Sequence, residues 1–268
     1  MADTELVCYR HPNREVGVIC QRCDRGICPD CATPGAVGFL CPDCAGEKTK
    51  VRQYNPNAGM LSRAPITFAL IAINVAVYVF QVLDPTLWQS LAYAPQFNGA
   101  NGLLQVFTSG FTHSQTSIMH ILLNMYSLFL FGTAIEPMIG KARFTALYFI
   151  AMLGGGLGVL VLAPDSVVVG ASGAIFGLMG AYLLLLRAVG GNPSQMYAVI
   201  AINLVFGFIQ PGIAWQAHVG GLIAGIVVAY IYAQTRKKEQ LMIQIAAVAG
   251  FAVVLLAAWA VIAPTVAI

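Results

Sequence analysis

Charged residues are scarce in this chain of 268 residues. Only 9% are Asp, Glu, Lys or Arg, against roughly 25% in an average soluble domain, and 58% are apolar. This composition excludes an ordinary water-soluble enzyme. The formal net charge is only +3, so the chain has neither the basic surface of a nucleic-acid-binding protein nor an acidic disordered tail, and we expect no nucleic-acid partner.

The few charges are distributed unevenly. Seven of the 14 Lys and Arg residues and seven of the 11 Asp and Glu residues precede Arg63. This asymmetry indicates a small polar domain followed by a large body embedded in the lipid bilayer. We expect the polar domain over residues 1–46, a basic linker over 47–63, a membrane body over 64–233, and a basic connection with a last membrane helix over 234–268.

Cysteine is absent after Cys44, and every cysteine belongs to a pair separated by two residues. Such a pair can present both side chains to one metal ion, and eight ligands suffice for two closed tetrahedral zinc sites of the structural kind. Seven cysteines cannot all form disulfides within one chain, which argues against a disulfide framework. A domain this short lacks a sufficient apolar core, so two zinc ions would supply most of its folding energy. The pairs are Cys8 and His11, Cys20 and Cys23, Cys28 and Cys31, and Cys41 and Cys44.

The order of these pairs resembles a B-box zinc finger with cysteines in place of the later histidines, over residues 8–44. The resemblance implies that the first and third pairs share one zinc and that the second and fourth share the other. It also implies a module that binds a protein partner. The alternative is a small domain that only anchors or stabilises the N-terminus.

Seven apolar stretches are long enough, or nearly long enough, to span a bilayer as helices. The fifth contains Gly207 and ends at Pro211, so we expect it to be the shortest or loosest. The connection from Asp84 to Ser117 is rich in aromatic residues, and we expect it to lie in the membrane interface. The predicted spans are 65–83, 118–139, 144–163, 170–186, 195–213, 216–233 and 241–262.

The basic residues of the body all fall on one side of these seven spans. The linker, the second-to-third, the fourth-to-fifth and the sixth-to-seventh connections contain Lys or Arg, and the other connections contain none. Because basic loops remain in the cytoplasm, this pattern predicts a multi-pass cell-membrane protein with a cytoplasmic N-terminus and an outer C-terminus. Cytoplasmic thiols also stay reduced and available for zinc. No basic segment followed by a cleavage site begins the chain, so we expect no removable signal peptide.

Four polar residues inside the spans require an explanation, because unpaired polar groups are costly in hydrocarbon. His120 and Asn124 lie in the second span, Ser172 in the fourth and His218 in the sixth. These three helices run in the same direction, and each residue lies in the first two turns. All four therefore share a depth near the outer face. His120 and Asn124 are also four residues apart, on one helix face, where both could donate to one oxygen.

Small residues favour a contact between the fourth and sixth spans. Strips of glycine let helices approach closely, and this would bring the Ser172 hydroxyl to the His218 imidazole, as a base-activated nucleophile requires. The strips are Gly173, Gly177 and Gly180 on the fourth span, and Gly221 and Gly225 on the sixth.

The motifs Gly-Ala-Ser172-Gly, Ala-His218-x-x-Gly-x-x-x-Gly and His120-x-x-x-Asn124 together resemble the rhomboid family of intramembrane serine proteases. The resemblance covers about residues 64–233 and implies a six-helix bundle, with the C-terminal helix as the seventh of a six-plus-one variant. It implies that Ser172 is the nucleophile, that His218 is the general base, and that His120, Asn124 and the Ser172 N–H form the oxyanion hole. The substrates would be transmembrane helices, cut near the outer face.

Four further positions relate to this family pattern. Gly132 and Glu136 match its structural Gly-x-x-x-Glu element, and His113 resembles a histidine of the first outer loop at a longer spacing. Phe176 occupies the position of a usual Tyr that supports the catalytic histidine.

The scarcity of acids predicts a Ser-His dyad rather than a triad. Glu239 lies on the cytoplasmic side, and Glu136 lies roughly 18 Å inward of Asn124 at helical rise. The remaining acids of the body, Asp84 and Asp165, are in connections.

Two other functions remain as alternatives. A non-proteolytic rhomboid-like protein would bind membrane clients, with the zinc finger recruiting a partner, but would be expected to lack Ser172 or His218. A transporter would need an internal repeat, which we do not find.

We expect Asn74 and Asn203 to form hydrogen bonds between helices.

Overall fold

The structure, a computed structural model, describes residues 7–16, 18–34, 39–46, 59–98, 102–188 and 190–266. The chain divides into two compact units, Met1–Asn57 and Ala58–Ile268. Residues 47–58 of the predicted linker lie outside the described residues. The rest of that linker includes a short helix, which belongs to the second unit.

The N-terminal unit is built around its cysteines. Six of them form its buried cluster together with Ile27, so the apolar core is very small, as expected of a domain that needs a metal to fold. Its described residues form two antiparallel strand pairs and one short helix. These elements are β1 (Val7–Cys8), β2 (His11–Glu15), β3 (Thr33–Pro34), β4 (Phe39–Leu40) and α1 (Pro42–Gly46), with a 3₁₀ turn at Pro29–Cys31.

The second unit is an assembly of helices. Long apolar helices alternate with short connections, except between the first and second spans, where three short helices intervene. In chain order the helices are α2 (Met60–Arg63), α3 (Pro65–Leu83), α4 (Leu87–Leu91), α5 (Pro95–Asn98), α6 (Gly102–Ser109), α7 (Ile118–Ile139), α8 (Lys141–Leu162), α9 (Ser172–Ala188), α10 (Ser194–Ile209), α11 (Trp215–Gln234) and α12 (Leu241–Val266).

Each of the seven predicted spans corresponds to one helix among α3 and α7–α12. Five of these are long and apolar enough to cross a membrane, whereas α9 and α10 have only 17 and 16 residues. The prediction of an all-α polytopic membrane protein is therefore confirmed. α10 is the shortest of the seven, as predicted, and it ends at Ile209, just before the predicted stop at Pro211 and short of the predicted bound of the span at 213. Its C-terminal neighbour Gln210 has an extended backbone that leads into Pro211.

The glycine strips bring α9 and α11 into backbone contact. A Cβ atom at Gly221 would collide with the carbonyl oxygen of Gly173, and one at Gly225 would collide with that of Gly177. α8 joins the same contact, since a Cβ at Gly220 would collide with the carbonyl oxygen of Gly154. The glycine strips of the fourth and sixth spans predicted the α9–α11 contact, whereas the contribution of the α8 glycines is seen only in the structure.

α9 lies at the centre of the helical unit. Most of its residues are buried, and they belong to the main apolar cluster with residues of α7, α8 and α11. By contrast, only Gln244 and Val248 are buried on α12. The C-terminal helix is therefore peripheral, which agrees with a six-helix bundle plus one.

A buried carboxylate fixes the start of α3 against the C-terminal half of α7. Glu136 accepts hydrogen bonds from the backbone N–H groups of Ile66 and Thr67, at 3.0 and 2.8 Å, and from the Thr67 hydroxyl at 2.9 Å. The first N–H groups of a helix have no partner within the helix and carry partial positive charge, which a carboxylate satisfies. Gly132, one turn earlier, leaves the space that Thr67 occupies. This contact explains the Gly-x-x-x-Glu element.

Replacing Gly221 with Ala should destabilise the helical unit by about 1 to 3 kcal/mol, because the new methyl group forces α11 away from α9. The matched control is Gly250→Ala on α12, where a Cβ would meet nothing within 4 Å. That change should leave stability unchanged or raise it by up to about 1 kcal/mol through helix propensity. Thermal unfolding in detergent measures both; equal melting temperatures for the two variants would contradict the packing described here.

Candidate functional site

Ser172 and His218 form a hydrogen bond across the α9–α11 contact. The Ser172 Oγ and His218 Nε2 atoms are 2.9 Å apart. Ser172 is the first residue of α9 and His218 lies in the first turn of α11. The pair lies across the glycine contact at the N-terminal ends of both helices, where the glycine strips predicted it.

The imidazole of His218 is packed on one face and has no acidic partner in the part of the chain that the structure describes. Its ring stacks on Phe176, with ring centroids 4.2 Å apart and an interplanar angle of 12°. The Nδ1 atom is buried without a hydrogen-bond partner among the described residues, and Gly207 of α10 lies beside it. Stacking on Phe176 therefore fixes the plane of this ring. A hydrogen bond plays no part in this contact, because phenylalanine has no polar side-chain atom.

His120 and Asn124 line the same cavity as the residues at the start of α9. The Nε2 atom of His120 faces Gly170, where a Cβ would come within 2.8 Å of it. Asn124 donates one Nδ2 hydrogen to the His120 carbonyl at 2.8 Å. Because an amide nitrogen carries two hydrogens, a second donor remains available on Asn124.

The backbone before Ser172 is held by residues of the connection between α3 and α7. Gly170 donates its N–H to the Ser109 carbonyl at 2.8 Å, and Val168 and Tyr93 exchange two backbone hydrogen bonds. Gly170 has a φ of +119°, a conformation that favours glycine, and the nearby His120 ring leaves no room for a side chain. The segment entering α9 is thus fixed in position.

One cavity of about 840 Å³ contains all four polar residues. α7 contributes Leu123 to its wall, and α10 contributes Phe206. None of the described residues that line it is Asp, Glu, Lys or Arg. The site is therefore a neutral, partly enclosed chamber with a serine and a histidine at hydrogen-bond distance, bordered by two apolar helices.

The sequence of this region matches a known family. A model of the Rhomboid domain matches residues 100–235, just over half of the chain. The chain belongs to the rhomboid family. The matched region includes His120, Asn124, Ser172 and His218, whereas the N-terminal unit lies outside it.

Similar proteins carry the same family name. Putative rhomboid protease YdcA from Bacillus subtilis (strain 168) is 32% identical over 185 residues, which are 65% of this chain and 92% of that protein. Rhomboid protease AarA from Providencia stuartii is 29% identical over 208 residues, 64% of this chain and 74% of that protein. Rhomboid protease GluP from B. subtilis is 39% identical over 120 residues, 42% of this chain and 23% of that protein. This chain is thus a multi-pass member of a family of intramembrane proteases.

The second unit, called the rhomboid unit below, contradicts the prediction for one of the two asparagines. Asn203 is exposed and donates to the Val199 carbonyl of its own helix at 2.8 Å, so it does not form the interhelical hydrogen bond expected of it. Asn74 does interact with another helix, because its side chain meets that of Tyr148 on α8. It also contacts the connection between α3 and α7, where its Oδ1 atom lies 2.9 Å from Nε2 of His113.

The N-terminal unit contains two groups that could each hold a metal ion. The first combines Cys8, His11, Cys28 and Cys31, and the second combines Cys20, Cys23, Cys41 and Cys44. Within each group the potential ligand atoms all lie within 4.8 Å of one another. The first and third pairs thus meet in one group and the second and fourth in the other, which is the pairing that the B-box resemblance implies.

The distances within these groups fit a tetrahedral metal site. Zn–S and Zn–N bonds of about 2.3 and 2.0 Å place tetrahedral ligand atoms roughly 3.5 to 3.8 Å apart. The His11 Nδ1 atom lies 3.7, 3.4 and 3.5 Å from the sulfurs of Cys8, Cys28 and Cys31. In the second group, the sulfurs of Cys23 and Cys41 are 3.7 Å apart.

Two thiols in each group have a lowered pKa and are biased toward the ionised form that binds metal. By contrast, burial raises the pKa of Cys31, and the Cys41 side chain raises the pKa of Cys44. Burial alone would raise the pKa of Cys20, but hydrogen bonds from backbone N–H groups, first among them that of Cys41, outweigh it and lower the pKa to about 6. The pKa of Cys8 is likewise lowered to about 6, since backbone bonds at Cys28 and Arg10 and the His11 side chain together overcome burial. Thiolates are the form of cysteine that ligates metals.

Proposed function

We propose that this protein is an intramembrane serine endopeptidase that cleaves transmembrane helices near the outer membrane face. Ser172 is the nucleophile and His218 is the general base. The observation that carries this proposal is the 2.9 Å separation of Ser172 Oγ and His218 Nε2, within the range that a base needs to accept the serine proton. The neutral chamber around the pair supports it.

In this mechanism Ser172 Oγ attacks the carbonyl carbon of a substrate peptide bond while its proton passes to Nε2 of His218. The resulting oxyanion accepts hydrogen bonds from His120 Nε2–H, from the second Asn124 Nδ2–H and from the Ser172 backbone N–H. The tetrahedral intermediate then collapses as His218 donates the proton to the leaving amine. Water, activated in turn by His218, hydrolyses the acyl-enzyme and restores Ser172.

The dyad operates without a carboxylate. No hydrogen-bond partner of His218 Nδ1 is present among the described residues. In a triad an acid orients the histidine ring, and here the stack on Phe176 orients it instead. A phenylalanine cannot stabilise the imidazolium through a hydrogen bond. The positive charge that develops on His218 is therefore not stabilised by a hydrogen-bonded carboxylate.

The substrate is a single membrane-spanning helix that enters between α7 and α10. Both helices expose large apolar side chains, including Leu122 and Leu123 on α7 and Ile202 and Phe206 on α10. α10 is short, and Gly207 leaves it little side-chain bulk near His218. The resemblance to the family implies that the substrate helix unwinds at the site, with a small residue before the cleaved bond.

The orientation proposed is a cytoplasmic N-terminus and an active site that opens to the outer side. The described basic residues after Arg63 support it, because they all lie at helix ends opposite those that hold Ser172 and His218. Basic loops remain in the cytoplasm. These residues are Lys141, Arg143, Arg187, Arg236, Lys237 and Lys238.

We also propose that the N-terminal unit holds two structural zinc ions and binds a protein partner. Each ion would have four protein ligands, and closed coordination of this kind stabilises a fold without taking part in catalysis. Zinc would then link the folding of the unit to its interaction surface.

Replacing Ser172 with Ala should reduce cleavage by at least about 10⁴-fold, because the nucleophile is lost. The assay uses the full chain and a single-span substrate in proteoliposomes, with products identified by mass spectrometry. Ser90→Ala, on α4 and outside the site, should cleave at the wild-type rate. Unchanged cleavage by the Ser172 variant would refute the nucleophile. Binding of the substrate without any cleavage by the wild-type protein would favour the client-binding alternative.

The purified full chain should contain two zinc ions, because both ligand groups are complete. Elemental analysis by mass spectrometry measures the ratio, and Co²⁺ substitution should give the absorption of tetrahedral thiolate sites. Cys41→Ser should lower the ratio to about one, whereas Glu15→Ala, which changes an exposed side chain of β2 that belongs to neither ligand group, should leave it at two. A chain that contains no zinc, or holds a different metal, would contradict the assignment.

A further inference from the structure

Two fully buried polar side chains lie on the face of α3 that meets the first outer connection. Asn74 and Gln81 have no exposed surface, and they are seven residues apart, two helical turns along one face. Neither side chain takes part in the proposed cleavage reaction. In an apolar environment such groups are costly unless fully hydrogen-bonded, so their partners indicate what they are for.

Gln81 binds the backbone of His113 through both ends of its amide. Its Nε2 donates to the His113 carbonyl at 3.0 Å, and its Oε1 accepts the His113 N–H at 3.1 Å. Because a backbone N–H can only donate and a carbonyl can only accept, the orientation of the amide is unambiguous. His113 is therefore clamped to α3.

Asn74 holds the side chain of the same histidine. Its Nδ2 donates to the Leu70 carbonyl at 2.8 Å, so its Oδ1 is the atom that faces Nε2 of His113, at 2.9 Å. This oxygen can only accept, and Nε2 of His113 must carry the proton. Together the two amides fix both the backbone and the ring of His113.

The next residue transmits this position to the site. Ser114 donates its backbone N–H to Nδ1 of His120 at 3.1 Å. An Nδ1 atom that accepts a hydrogen bond carries no proton, so the neutral ring must carry its proton on Nε2. That Nε2 faces Gly170, two residues before Ser172. The backbone of Ser114 thus selects the tautomer of His120 that can donate into the chamber.

We propose that Asn74 and Gln81 are positioning residues for the oxyanion hole: by clamping His113, they hold the Ser114 N–H against Nδ1 of His120 and keep a hydrogen on its Nε2. This inference rests on the proposed proteolytic function, since the oxyanion is the group that this hydrogen meets. Without the clamp, residues 113–114 can move away from His120, and its proton can shift to Nδ1. Nε2 would then be an acceptor, which repels an oxyanion.

The test replaces Gln81 with Met, which keeps the shape of the side chain and removes both hydrogen bonds. In proteoliposomes, kcat should fall about 10- to 100-fold, because a donor to the oxyanion is lost from part of the population, while KM changes little. The matched control is Gln244→Met, which removes another buried glutamine that bridges elements, here Arg143 and Thr235, outside the cavity. It should lower the melting temperature similarly and leave kcat near the wild-type value.

The decisive readout is the tautomer of His120, measured by ¹⁵N NMR of the full chain labelled at histidine. The chain has only four histidines, so single substitutions assign each signal. The wild type should show His120 protonated on Nε2, and both Gln81→Met and Asn74→Leu should shift it toward protonation on Nδ1. The control should not.

Two results would overturn the proposal: an unchanged His120 tautomer in both clamp variants, or a loss of kcat in Gln244→Met equal to that in Gln81→Met. The first shows that the clamp does not act on the ring, and the second that the effect is one of stability alone. The tautomer signal does not require turnover, so failure of the proposed protease activity would leave it readable and the two failures are distinguishable.

Discussion

The contact of α9 with α11 through glycine backbone is the constraint on which the rest of the rhomboid unit depends. Side chains at Gly177, Gly221 or Gly225 would hold these helices apart, and the hydrogen bond between Ser172 and His218 requires that they touch. Burial of apolar surface cannot supply this precision inside a bilayer, because lipid is as apolar as the helix surfaces. Close packing of backbone atoms supplies it instead.

The scarcity of charge shapes the chemistry of the site. A chamber without Asp, Glu, Lys or Arg among its described lining leaves His218 without a carboxylate, and aromatic stacking on Phe176 takes over its orientation. The one buried acid of the unit, Glu136, is used elsewhere, where it binds the N-terminus of α3. Polar groups are thus few, and the four polar residues of the site face one cavity.

Much of this arrangement could be predicted from sequence. Spans are visible in apolar runs, and the α9–α11 contact is visible because glycines recur at helical spacing beside Ser172 and His218. The partners of Asn74 and Gln81 could not be predicted, because both bind a loop, and loop positions leave no periodic signal. The Ser114 N–H is a backbone donor that every residue but proline has, so its role depends on position alone. Asn203 shows the opposite error: a polar residue in an apolar span suggested a partner helix, yet it bonds only within α10.

The most direct test of the account is to trap the nucleophile. A fluorophosphonate reacts with an activated serine by forming a P–O bond and releasing fluoride, and peptide mass spectrometry identifies the modified residue. The account predicts a single adduct on Ser172 of the full chain in membranes, and none when His218 is replaced by Ala. An adduct on another residue, or labelling of Ser172 at the same rate without His218, would contradict it.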